Sequence, residues 1–196
     1  MKNISFVIMI ALVIFGAFLL VPKSDTKEAN NKECKPMNID ATKLEKVSAT
    51  SATIKTDKGD IVVELYPNDA PKTVTNFASL AKGGFYDCLT FHRVEPGFVI
   101  QGGDPNGNGT GGTSVYGPEF EDELNAESAS YKAGYKKGVL AMANRGPNTN
   151  SSQFFIMLDD NETLPKNYTI FGKVTSGLDV VDGIAVGDVI RTITAQ

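Results

Sequence analysis

The sequence contains no tryptophan, one histidine (His92) and two cysteines (Cys34 and Cys88) among 196 residues. A lone histidine excludes a histidine-based metal cluster. Set beside Phe91 in an apolar run, His92 reads as structural rather than as part of a Ser-His-Asp arrangement. Two cysteines at this spacing match no metal motif. They can pair outside the cytoplasm, but Cys34 falls in a polar stretch that reads as mobile, so an isolated, structural Cys88 is expected. No block of lysines or arginines is present and the net charge is −4; both argue against a nucleic-acid partner, which needs a basic face. No repeat period is visible. The rest is ordinary for a folded chain: 41% hydrophobic and 21% charged residues, enough for one buried core and an appendage.

The appendage is the N-terminus. Residues 4–21 are a continuous apolar run in which Ser5 is the conspicuous polar exception. As a helix rising ~1.5 Å per residue it nearly spans a hydrocarbon core of ~30 Å. It exceeds the ~7–15 residues of a signal-peptide core, and Pro22-Lys23-Ser24 follows where a small-residue cleavage site would stand. Residues 1–22 therefore read as a transmembrane signal anchor in preference to a cleaved signal peptide. Lys2, Lys23 and Lys27 flank the run on both sides and leave its orientation open. Residues 23–48 are polar and mixed in charge, the composition of a linker. The expectation is a membrane-anchored or secreted protein whose domain, residues 49–196, is extracytoplasmic.

Within that domain the texture is one of short β-rich runs. Residues 52–56 and 61–65 flank Asp57-Lys58-Gly59-Asp60, a hairpin signature. Asp69-Ala70-Pro71 opens a helical pattern with Val74, Phe77, Leu80 and Ala81 on one face, and Gly83-Gly84 stops it. Further strand-like runs cover 90–94, 98–101, 139–143, 153–158, 169–174 and 189–194, with a second short helix over 178–184. Many short strands and few helices indicate a mainly β, antiparallel sandwich or barrel.

Two motifs in the loop 104–112 mislead. Gly107, Gly109 and Gly112 satisfy G-x-G-x-x-G, but Pro105 interrupts the entry and 113–118 cannot start a helix to meet a pyrophosphate. Asp104, Asn106 and Asn108 copy half a calcium loop, but Val115 occupies the position of the bidentate glutamate. A glycine-rich surface loop is the better reading of both. The acidic run Glu119, Glu121, Asp122, Glu123 reads as a solvated edge.

Two blocks carry chemistry. The first is Phe91-His92-Arg93-Val94-Glu95-Pro96-Gly97-Phe98-Val99-Ile100-Gln101-Gly102-Gly103-Asp104. The second is Met142-Ala143-Asn144-Arg145-Gly146-Pro147-Asn148-Thr149-Asn150-Ser151-Ser152-Gln153-Phe154-Phe155-Ile156. Together they bring a cation, an apolar wall and neutral hydrogen-bonding groups onto one surface. With 70–77, 120–123 and 170–174 they make residues 51–194 resemble a cyclophilin, a peptidyl-prolyl cis–trans isomerase. The resemblance implies an eight-stranded antiparallel barrel closed by two helices, proline-containing polypeptides as substrates, a monomer, and neither cofactor nor metal. It implies that Arg93 is catalytic. Phe98, Val99, Met142, Phe155 and Leu164 then surround the pocket for the proline ring, with Ala143 beside them. Gln101 and Asn144 hydrogen-bond the substrate backbone, and Gly109 lies on a lining loop. Arg145 stands where alanine is frequent, so its side chain bears on the residue before proline. Tyr168 stands where many relatives have histidine, a substitution familiar in prokaryotic members. Thr163 stands where cyclosporin-sensitive members carry tryptophan, so weak cyclosporin binding with activity retained is expected.

Those residue types suit the reaction. Amide resonance sets a barrier of ~18–20 kcal/mol to rotation about an X–Pro bond, and uncatalysed exchange takes tens of seconds or more. No covalent bond is made or broken. A guanidinium aimed at the prolyl nitrogen stabilises the twisted state, in which that nitrogen regains its lone pair. Arginine keeps its charge and offers a fixed fork of donors, and an apolar pocket excludes water from the contact. Two rivals stand beside the enzyme: a module that binds proline segments without turning them over, and a carbohydrate- or calcium-binding β domain resting on the loop motif alone.

Overall fold

The computed structural model describes residues 34–196, so the segment expected to act as anchor or signal lies outside the described residues. Eight strands are present: β1 (Ser51–Thr56), β2 (Gly59–Leu65), β3 (Arg93–Glu95), β4 (Val99–Gly102), β5 (Val139–Met142), β6 (Phe154–Met157), β7 (Ile170–Ser176) and β8 (Ile190–Ala195). They form one antiparallel sheet in the order β3-β4-β6-β5-β7-β2-β1-β8. The two ends of the sheet meet along a seam. Thr90, just before β3, bridges to Val189, just before β8. Cys88 N and Phe91 N donate to Ile190 O and Asp188 O, while Ile190 N and Gly187 N donate to Leu89 O and Phe91 O. Thr90 was expected inside the third strand; it belongs to the seam instead, and the strand proper starts at Arg93.

Three α-helices accompany the sheet: α1 (Pro71–Lys82), α2 (Ala129–Ala133) and α3 (Leu178–Gly183). In α1 the apolar spacing drives Val74, Phe77, Leu80 and Ala81 into the core, all at 5% exposure or less. Phe77 meets Tyr86, Phe154 and Phe171 at centroid distances of 5.2–5.5 Å, an aromatic cluster of the kind that dominates core energetics. The helix has proline at its first position and no side-chain cap on Ala70. Glu123 replaces the cap: its carboxylate accepts from the backbone of Lys72 (3.0 Å) and Thr73 (2.8 Å), satisfying first-turn donors. The acidic run is thus no idle solvated edge. Glu121 pairs with Lys72 and Glu119 with Arg145, and Asp122 accepts from Asn148 N and Asn150 Nδ2.

The described part of the linker is packed. Ala41 and Ala49 are 2% and 6% exposed within the main core, and Ile39, Leu44 and Val47 lie against it. Val47 N donates to Ser79 Oγ (2.8 Å), and Glu45 pairs with Lys82. Cys34 is bonded to Cys88, with 5.2 Å between the Cα atoms. The isolated Cys88 expected from sequence is therefore corrected: apolar residues spaced through a polar segment dock it on α1 and bring the two sulfurs together. Cys88 sits at φ 67°, a left-handed conformation uncommon for residues other than glycine.

Candidate active site

Strand parity places the site. Arg93 faces Gln101 across β3 and β4, Gln101 faces Phe155 across β4 and β6, and Phe155 faces Ala141 across β6 and β5. These four residues form one row on one face of the sheet, because directly opposed residues share a face. Residues of the other parity (Ile100, Phe154, Ile156, Leu140, Met142) enter the main core. Both faces of this sheet are apolar, and the second face carries a smaller cluster of Val99, Tyr135, Val139, Ala141, Phe155, Met157 and Ile170. On it lies a cavity of about 210 Å³ lined by Arg93, Phe98, Val99, Gln101, Ala143, Asn144, Phe155, Leu164 and Tyr168.

Three residues expected at the pocket lie elsewhere. Met142 is fully buried in the main core, since it has the opposite parity to Ala141 and Ala143. Gly109 is on the neighbouring loop at φ 86°, where its carbonyl accepts from Gln153. Arg145 does not line the cavity: its guanidinium donates to Thr110 O (3.1 Å) and pairs with Glu119 (2.9 Å). Thr163 is exposed next to Leu164 and holds Asn161 Oδ1.

The polar side of the cavity is a relay. Glu95 Oε1 accepts from Arg93 Nε (3.0 Å) and Nη2 (2.7 Å), and Arg93 Nη1 donates to Gln101 Oε1 (3.0 Å). Three of the five guanidinium N–H groups are so engaged, leaving two for a ligand. The guanidinium carbon lies 5.6 Å from the Phe98 ring centre, within cation–π range. Gln101 Nε2 donates to Gln153 Oε1 (2.9 Å), and Gln153 Nε2 donates to the carbonyls of Gly109 (3.1 Å) and Gly111 (2.8 Å). Glu95 and Gln153 both stand in the two sequence blocks and were not singled out; their places opposite and beside the arginine row were the available signal. The side-chain amide of Asn144 is turned to the rim, donating to Asn167 O (2.8 Å). On the far wall Tyr168 packs edge-on to Phe155 at 5.6 Å, and its backbone is gripped by Tyr135. Burial pushes the Tyr135 phenol up to about 12, so it remains a donor to Tyr168 O.

The loop that resembled a calcium site closes on its own carboxylate. Asp104, 1% exposed, accepts from the backbone of Asn106 (2.8 Å), Asn108 (3.0 Å) and Gly109 (2.6 Å). Burial raises its pKa, but these bonds and the backbone of Gly111 outweigh it, and the carboxyl ends below its ordinary value. Asp104→Ala strands those donors, and the expected cost is about 1–3 kcal/mol in denaturant unfolding. His92 behaves oppositely to a paired histidine. Burial and then the Arg93 charge lower its pKa against the pull of Asp104, and both ring nitrogens lack a partner. A folded-state value below the ordinary 6.5 means the fold favours the neutral ring. Its contribution is complete above that pH and is lost as the pH falls below it. Stability measured from pH 7.5 to 5 should decline, and His92→Phe should flatten the decline.

Residues 51–195 match the family described as "Cyclophilin type peptidyl-prolyl cis-trans isomerase/CLD". The peptidyl-prolyl cis–trans isomerase ppi1 of Schizosaccharomyces pombe is 55% identical over 127 residues, 65% of this chain and 79% of that one. The chain belongs to the cyclophilin-type peptidyl-prolyl cis–trans isomerase family. CYP18-2 of Arabidopsis thaliana, another isomerase, is 46% identical over 134 residues, 68% of this chain and 79% of its own. The solved cyclophilin cgd2_1660 of Cryptosporidium parvum superposes with a TM-score of 0.68 at 36% identity, covering 76% of this chain and 98% of that one. A second structure of it was determined in the presence of the dipeptide Ala-Pro, with a TM-score of 0.67. These relatives are eukaryotic, and the prokaryotic affinity expected from Tyr168 finds no support among them. This cyclophilin is an isomerase that needs no cofactor for its reaction. No helix within residues 34–196 is long and apolar enough to cross a membrane.

Proposed function

We propose that Arg93 is the catalytic group for rotation about X–Pro bonds and that the proline ring occupies the cavity between Phe98, Phe155, Leu164 and Tyr168. The observation that carries this is the placement of a guanidinium, two of its donors uncommitted, at the edge of an apolar cavity. Glu95 and Gln101 hold the fork in one orientation before substrate arrives, so little reorganisation is needed when the imide twists. Gln101 and Asn144 fix the substrate backbone, Asn144 through its main chain because its amide is tied to the rim. A module that only binds proline segments has no need of an oriented cation here.

The reading extends to place. The apolar run 4–21 tethers the domain to a membrane, and the protein acts on exported or membrane polypeptides in an oxidising compartment. The Cys34–Cys88 bond supports this, since disulfides persist outside the reducing cytosol. An exchange assay on an Ala-Pro peptide tests the isomerase reading, and protease accessibility in intact cells tests the location. Cyclosporin inhibition should be weak, because Thr163 offers no indole beside Leu164; nanomolar inhibition would contradict that.

A further inference from the structure

The seam that closes the sheet runs from Cys88 to Phe91, two residues before Arg93, and the disulfide is anchored at its start. Cys88 N donates to Ile190 O at 2.8 Å, and Leu89 and Phe91 continue the pairing. β3 is only three residues long and pairs with β4 alone. The position of Arg93 along the barrel therefore rests on its pairing with β4 and on the seam pairing that reaches Phe91 just before it. On the other side of the bond, residues 34–40 are exposed or half-exposed, Met37 being 52% exposed. Non-covalent attachment of the strap includes Ile39, Ala41, Leu44 and Val47, which lie in or against the main core. Both cysteines are partly exposed, so a thiol can reach them. Cys88 keeps φ 67° in this state, a conformation costly for a side chain other than glycine's and held where the surroundings over-determine it.

We propose that Cys34–Cys88 is a thiol-controlled latch on the isomerase, an inference that rests on the catalytic role given to Arg93. Closed, the bond fixes the seam and with it the Arg93 strand. A dithiol reductant opens it: one thiolate attacks a sulfur to give a mixed disulfide, and the second thiol displaces the other cysteine. Two electrons and two protons pass to Cys34 and Cys88, leaving two thiols and the reductant as its own disulfide. The covalent tie between the strap and the seam is then lost while Ile39 and 41–48 stay docked, Cys88 relaxes from its left-handed conformation, and the seam slackens.

The test uses the full-length chain, oxidised and after dithiothreitol, with an Ala-Pro peptide and hydrogen exchange read in parallel. Reduction should lower kcat by about three- to tenfold with KM little changed, speed exchange of the Phe91 and Ile190 amides, which donate across the seam, and be undone by reoxidation. Cys34→Ser should match the reduced enzyme and ignore the reductant. Cys88→Gly should also ignore it yet keep a higher kcat than Cys34→Ser, since glycine accepts the left-handed backbone. Equal kcat in oxidised and reduced enzyme, or exchange unchanged at the seam, would overturn the latch and leave the isomerase reading standing. An oxidised enzyme without activity would instead strike the isomerase reading itself, with the exchange measurement still judging the seam.

Discussion

Arg93→Ala should lower kcat/KM for an Ala-Pro peptide by about 10²–10³, the usual cost of removing one preorganised donor from a developing charge. The loss should fall on kcat, because the guanidinium interacts more strongly with the twisted imide than with either planar isomer. The fold should be nearly indifferent. The Arg93 side chain is 43% exposed and its ion pair with Glu95 is at the surface, where such pairs contribute about 0–1 kcal/mol. Arg93→Lys should recover only part of the rate. A lysine keeps the charge but lacks the fork that spans Glu95, Gln101 and the substrate together. Stopped exchange spectroscopy with a thermal melt of each variant separates the two effects.

Loss of the disulfide should produce the largest change in stability. The bond closes a separation of 54 residues, for which the chain-entropy treatment gives about 4 kcal/mol. At roughly 2–4 °C per kcal/mol for a domain of this size, Cys34→Ser should melt about 10 °C below the oxidised chain. Cys88→Gly should lose less, because glycine removes the left-handed strain along with the crosslink. Equal melting of both variants would show that the conformation of Cys88 carries no cost.

The eight strands were legible because each is a short apolar run bounded by turn residues, and α1 because its apolar spacing is regular. The five-residue α2 escaped, since it is shorter than two turns; Ser128 and Gly134, its caps, were the only trace. At the site the resemblance supplied residues, but strand parity sorted them. Met142 follows Ala141 in β5, and a single step along a strand moves a side chain from one face to the other. The same rule applied to the two blocks would have sent Met142 to the core and drawn Gln153 into the relay. The docking of 34–48 was invisible because composition averages over a segment. Ile39, Ala41, Leu44 and Val47 are few among polar neighbours, yet they are the residues that touch the domain.

The most direct measurement is a structure of the protein with an X–Pro peptide bound. The proline ring should lie against Phe98, Phe155 and Leu164, with an Arg93 N–H about 3 Å from the imide nitrogen or its carbonyl, and with Gln101 still bonded to Gln153. A peptide seated with its proline outside this cavity, or an Arg93 turned wholly onto Glu95 while substrate is bound, would contradict the account.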